Sequence, residues 1–327
     1  MGMLLLILDT KTALRGASEG INLCLGSVIP SLFPFFAVSI YLTGFLSGRQ
    51  FKSLRILGKL CRIPHGSESL LLIGLLGGYP TGAQSVAQSY EAGQLAKTDS
   101  RRMLGFCNNA GPAFLFGILA GKFPQMWFLW ALWGIHIFSS IIVGMLLPGN
   151  AAQNCAITRN QSFTIIQSVK KAIANTAMVC AWIILFRVIL SFLDRWLLWL
   201  LPIDGQIAIL GILELANGCC ELEYIQDLGL RFLVCAGMLG LGGVCVTLQT
   251  ASVTSSLGLG WYIPGKILQT LVSVILASIV VYFFLPENQW PSIFGLYPAA
   301  AVLSVGIIMI FIRKKENKCR NTVTSGV

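Results

Sequence analysis

Apolar runs separated by short polar stretches organise the whole chain. Those at residues 21–46, 126–147, 172–193, 266–285 and 293–312 approach the roughly 20 residues that a helix needs to cross about 30 Å of hydrocarbon. Other runs are cut midway. Between residues 70 and 121 the cuts are Gly77-Gly78-Tyr79-Pro80-Thr81-Gly82 and Asn108-Asn109-Ala110-Gly111-Pro112. Residues 207–229 are two short apolar pieces around a polar break, and residues 232–252 are interrupted at Gly240-Leu241-Gly242-Gly243. In lipid a freed backbone N–H or C=O has no water to bond, so a broken helix persists only inside protein or beside a wet cavity. Paired broken helices near the membrane midplane are also how many carriers build a substrate site.

Charge gives this pattern an orientation. Arg49, Lys52, Arg55, Lys59 and Arg62 follow the first span without an intervening acid, which marks that loop as cytoplasmic. The halves on either side of Pro80 are too short to cross, and Lys97, Arg101 and Arg102 follow them, which predicts a re-entrant hairpin entering from the cytoplasm. The second hairpin is flanked instead by Asp204, Glu221, Glu223 and Asp227, so it should enter from outside. The order span, hairpin, broken span, plain span thus occurs twice, roughly 130 to 140 residues apart. Three crossings per unit make the second copy inverted. The expected fold is an all-α polytopic membrane protein, an inverted-repeat carrier with two re-entrant hairpins and two broken helices. Its parts are an interfacial N-terminal segment at 1–20, kept in the mature chain for want of a cleavage pattern, and a first repeat at 21–147. A cytoplasmic linker at 148–171, an inverted second repeat at 172–285, and a last helix with a basic cytoplasmic tail at 286–327 complete it.

Composition agrees. Of 327 residues 55% are hydrophobic and 11% charged, where a soluble domain would carry about a quarter charged. The net charge of +10 lies in short loops between apolar runs, so it reports topology rather than nucleic-acid binding. Ten cysteines show no CxxC spacing and only two histidines accompany them, so neither a metal nor a cofactor is implied. Residues 260–266 spell GxxxxGK, but Ile267 stands where a magnesium-holding hydroxyl belongs and no soluble strand precedes it. It is not a nucleotide loop. His136 with Ser139 and Ser140 lacks a nucleophile elbow and reads as a packed polar helix face, so no enzyme is indicated.

At its breaks the sequence resembles the YlbJ-type sporulation integral membrane proteins with the Gate (nucleoside-recognition) domain. The carrying blocks are residues 77–83, 106–113, 214–218 (Glu214-Leu215-Ala216-Asn217-Gly218) and 242–249, with Ser31-Leu32-Phe33-Pro34-Phe35-Phe36 in the first span. One branch of that family, the SpoVV-type proteins of endospore formers, is linked to dipicolinate transport into the developing spore. The resemblance therefore implies a multi-pass carrier in the cell membrane for a small organic anion. The element order also resembles the core of concentrative nucleoside transporters. The first hairpin, however, has no acid from Leu70 to Ser89, where those carriers place a carboxylate.

An anion needs donors. Helix ends meeting at a break offer backbone N–H groups with partial positive charge. Gly78, Gly82, Gly111, Gly218 and Gly243 would admit a ligand to the backbone, and Thr81, Asn108, Asn109, Asn217, Thr247 and Gln249 supply polar side chains. The competing reading is that these residues only let helices pack and bond one another. Glu214, in an otherwise apolar run, is a candidate for carrying a coupling proton or is a carboxyl bonding a neighbouring helix. Arg187 should snorkel or pair with Asp194. The partners implied are an anionic small molecule and the bilayer, without nucleic acid; self-association and other sporulation membrane proteins stay open, as do a nucleoside carrier and a non-transporting membrane scaffold.

Overall fold

The computed structural model describes residues 6–46, 54–149, 164–289 and 291. The expected last span at 293–312, its basic tail, and the loop positions Arg49, Lys52 and Arg159 lie outside the described residues.

Every element among the described residues is helical, and five helices are long and apolar enough to cross a membrane. The first is longer than its apolar run. Helix α1 (Thr10–Leu23) passes through a π-turn (Cys24–Val28) directly into α2 (Ile29–Leu46). The stretch before Gly20, expected to lie apart at the interface, is therefore continuous with the first span. Its polar residues find partners along α9 (Ile165–Trp196): Glu19 pairs with Arg187 at 2.6 Å and Asp9 with Arg195 at 3.0 Å. Gly16 and Gly20 bring the backbones together, since a Cβ on either would lie 2.9 Å from a Cα of α9. The π-turn ends just before Pro30, whose missing N–H already disturbs the regular ladder.

The first hairpin is α4 (Ser69–Gly77) and α5 (Thr81–Glu91), after a short α3 (Leu54–Leu60). Between them Gly78 takes φ +72° and ψ −177°, a region open only to glycine at little cost. The broken span that follows is more interrupted than its apolar run suggests. Helix α6 (Lys97–Met103) stops, residues 104–111 are non-helical, and α7 (Pro112–Ile118) restarts with proline in its first turn. Gly74 and Gly82 straddle this irregular strip: a Cβ on either would meet the Cys107 carbonyl oxygen. The unit closes with α8 (Met126–Leu146).

In the second unit α9 extends to 32 residues, about 48 Å at 1.5 Å per residue and more than a bilayer core. It begins within the expected linker, capped by Thr164 and Gln167, so Lys170 and Lys171 are helical. The second hairpin is α10 (Ile203–Leu213) and α11 (Leu215–Cys220). Its break falls at Glu214, and Asn217 lies inside α11. Helix α12 (Leu228–Leu241) is separated from α13 (Gly243–Val253) by Gly242 in the left-handed conformation, and α14 (Tyr262–Phe284) ends the described helices. Lys266, expected to open that span, sits a full turn inside it and is buried.

The units pack in a regular way. The opening helices α1 and α2 lie against α9, the closing helices α8 and α14 lie against each other, and α12 packs on α14. The hairpins and breaks are held between these two supports.

Candidate functional site

Breaking a helix in an apolar interior leaves backbone groups that something must bond, and at the breaks near Gly78, Cys107 and Glu214 side chains do so. In the first unit the Ala110 N–H donates to His136 Nε2 at 3.0 Å, and Phe106 O accepts from Asn109 Nδ2 at 2.7 Å and Ser140 Oγ at 2.7 Å. Asn108 works across units. Its Oδ1 accepts from the Ala83 N–H at 3.2 Å, and its Nδ2 donates to Thr250 Oγ1 at 2.9 Å. His136 and Ser140 on the polar face of α8 thus bond the break.

In the second unit Glu214 is the cap. Its carboxylate accepts from the Ala216 N–H at 3.1 Å, from the Asn217 N–H at 2.6 Å and from Asn217 Nδ2 at 2.6 Å. Four of the backbone donors at the breaks, those of Ala83, Ala110, Ala216 and Asn217, are thereby bonded by the protein's own side chains.

Glycines from the expected site divide by role. Gly78 and Gly111 press backbone to backbone, a Cβ on Gly111 lying 2.9 Å from the Gly78 Cα. Gly82 accommodates Cys107, Gly218 packs on Gly211, and Gly243, with φ +84°, lies against the Gly211 and Ile212 carbonyls. Thr247 bonds its own helix through the Gly243 carbonyl at 2.9 Å.

What the tips enclose is a small cavity of about 40 Å³. Gly78 and Tyr79 of the first tip and Gly111 line one side of it. Glu214, Leu215 and Ala216 of the second tip, with Gln249 and Val246, line the other. Gly78, Gly111, Glu214 and Gln249 are thus the expected residues that meet. Asn108, Asn109, Asn217, Gly82, Gly218, Gly243 and Thr247 stand outside the lining, as packing and hydrogen-bonding support. About three or four waters would fill the space at about 10–15 Å³ each, so little room is left between the tips.

A second, wider space of about 330 Å³ opens further along the same helices. Gln84, Gln88 and Glu91 of α5 and Lys171 and Asn175 of α9 line it, and Thr81 stands at its inner end. Gln84 and Asn175 bond each other there through both amides, at 3.2 and 3.4 Å. The Thr81 Oγ1 is buried and has no hydrogen-bond partner. Phe36 lines the cavity and Ile40, one turn on, lines the vestibule, as do Val179 and Asn175 on α9.

Sequence reasoning missed Lys266 and Gln269. Lys266 is 2% exposed, and its Nζ donates to Gln269 Oε1 at 2.8 Å, Tyr79 Oη at 3.2 Å and Asn109 Oδ1 at 3.4 Å. Gln269 Nε2 donates in turn to Asn109 Oδ1 at 3.0 Å. Lys266, Gln269 and Ser273 recur at helical spacing in an apolar run and are all buried. That stripe was the available signal, obscured because a lysine near the start of a span resembles an interfacial charge. Arg102 was similarly hidden: it is buried and donates to the carbonyls of Cys61, Arg62, Gly144 and Leu147, joining the ends of α3 and α8. Arg187 pairs chiefly with Glu19, with Asp194 4.0 Å away.

No family model matches the chain, and no solved structure matches it. Among curated proteins it is 26% identical over 166 residues to the sporulation integral membrane protein YlbJ of Bacillus subtilis (strain 168). That alignment covers 50% of this chain and 41% of the relative. With the motif blocks at the breaks, the helical fold and five membrane-length helices beside it, the chain is a multi-pass membrane protein similar over half its length to a YlbJ-type sporulation protein, of which it spans less than half.

Proposed function

We propose that the protein carries a small organic anion, dipicolinate during sporulation, across the membrane by alternating access to the space between its two hairpin tips. The observation that supports this is the shared cavity. Gly78–Tyr79 of one hairpin and Glu214–Ala216 of the other, far apart in sequence, line the same small space. Each belongs to an interrupted helix, and interrupted helices put backbone mobility where a substrate has to pass. The closed volume corresponds to an occluded arrangement, with the vestibule under Thr81 as the route to one face. Basic residues at that end of the bundle, Lys97, Arg101 and Arg102, favour the cytoplasmic side. On this reading the hairpins are re-entrant and the two units inverted, and α4–α5 moves against the α2–α9 support.

Uptake of labelled dipicolinate into proteoliposomes tests the proposal. The parent chain should accumulate label above protein-free vesicles, and Val246→Phe, which fills the cavity, should reduce uptake at least about tenfold. Uridine should compete poorly; strong competition would shift the cargo to a nucleoside. A second reading, a membrane scaffold without flux, is favoured by the small cavity and the bonded state of the break groups. It requires that the parent show no uptake and that Val246→Phe be tolerated in sporulation.

A further inference from the structure

The ammonium of Lys266 lies inside a membrane-length helix, yet the ion pairs among the described residues all lie elsewhere. A buried charge of this kind is expensive and normally faces a partner or a pathway. Its three N–H donors are met by three neutral acceptors: a phenol from the first hairpin tip, an amide from the break and an amide one turn on. The hydrogen bonds are satisfied and the Tyr79 and Tyr262 rings lie 5.2 and 5.7 Å from Nζ, but no carboxylate among the described residues pairs with it.

Tyr79 stands between this charge and the cavity. It lines the cavity, its hydroxyl accepts from Nζ, and Nζ sits 5.2 Å from its ring centroid. Gly242 leaves room for the hydroxyl, since a Cβ there would lie 2.9 Å from it. Tyr79 belongs to the turn between α4 and α5 rather than to either helix.

We infer that Lys266 is the counter-charge for a carboxylate of the cargo, and that Tyr79 is its shutter. The phenol occupies the ammonium when the site is empty and gives way when a carboxylate arrives from the cavity. A bond between two charged partners then replaces one from the ammonium to a neutral acceptor and is the stronger of the two. Asn109 and Gln269 hold the ammonium in place throughout. The inference rests on the carrier reading and adds to it a residue that fixes the sign of the cargo's charge.

Equilibrium binding of labelled pyridine-2,6-dicarboxylate to the full chain in nanodiscs tests it, together with the shift in thermal unfolding that the ligand causes. Lys266→Gln should weaken binding at least about tenfold and lose the ligand-induced shift, while Lys266→Arg keeps affinity within about threefold. Tyr79→Phe, freed of the competing hydroxyl, should bind as tightly as the parent or more so. Binding by Lys266→Gln equal to the parent overturns the role of Lys266 and leaves the carrier reading standing. Equal losses in Lys266→Gln and Lys266→Arg overturn it in favour of a packing role. A tenfold loss in Tyr79→Phe overturns the shutter. A parent chain that binds neither this dianion nor simple mono- and dicarboxylates overturns the carrier reading and this inference together.

Discussion

Glu214 shows how one side chain can be assigned two unlike roles until its neighbours are seen. A carboxylate in an apolar run reads as a proton carrier, yet its oxygens receive three N–H donors at the start of α11. Glu214→Ala would remove the cap and strand those donors, at a cost of about 2 kcal/mol or more. Glu214→Gln keeps an acceptor and should cost less. Thermal unfolding in detergent ranks the three proteins, and equal midpoints would remove the capping role. Arg187 is a similar case, its pairing with Glu19 depending on a helix whose length the apolar pattern understated. Lys266 went unread for the opposite reason. Lysine near a span terminus is ordinary by sequence statistics, and only the burial of Tyr262 and its turn places it inside.

At the scale of elements, the breaks at Gly77–Gly82, Asn108–Pro112 and Gly240–Gly243 were legible because glycine, proline and asparagine interrupt apolar runs for local steric reasons. Their consequences were not. That Gly74 and Gly82 grip the Cys107 carbonyl depends on contact between segments about 30 residues apart, which no local propensity encodes. Gly74→Ala should therefore be poorly tolerated, because its new methyl would overlap that oxygen. We expect a loss of about 1–3 kcal/mol, read as a lower yield of monodisperse protein and a lower unfolding temperature. Gly134, which has open space around it, is the control, and Gly134→Ala should behave as the parent.

For the molecule as a whole, first helices pair with first and last with last, and the hairpins occupy the space between. On the carrier reading, one hairpin moves while two supports stay fixed. The Gln84–Asn175 amide pair ties α5 to α9 beside the vestibule. Replacing both by cysteine and joining them through two disulfides with a short bifunctional methanethiosulfonate should abolish uptake, and cleavage of those disulfides by a thiol reductant should restore it. Unchanged uptake after cross-linking would mean that α5 does not move against α9 during transport.

The amino-acid sequence determined that this chain is helical and lives in a membrane, because hydrophobic length and charge placement are set by transfer free energy residue by residue. It also determined where helices must break, since backbone geometry at glycine and proline is local. Only the tertiary structure decided which break groups are already bonded, that Glu214 caps a helix, that two distant tips share one cavity, and that Lys266 stands behind Tyr79. Each of those depends on surfaces brought together from separate parts of the chain, where packing between elements, rather than pattern within one, selects the partner.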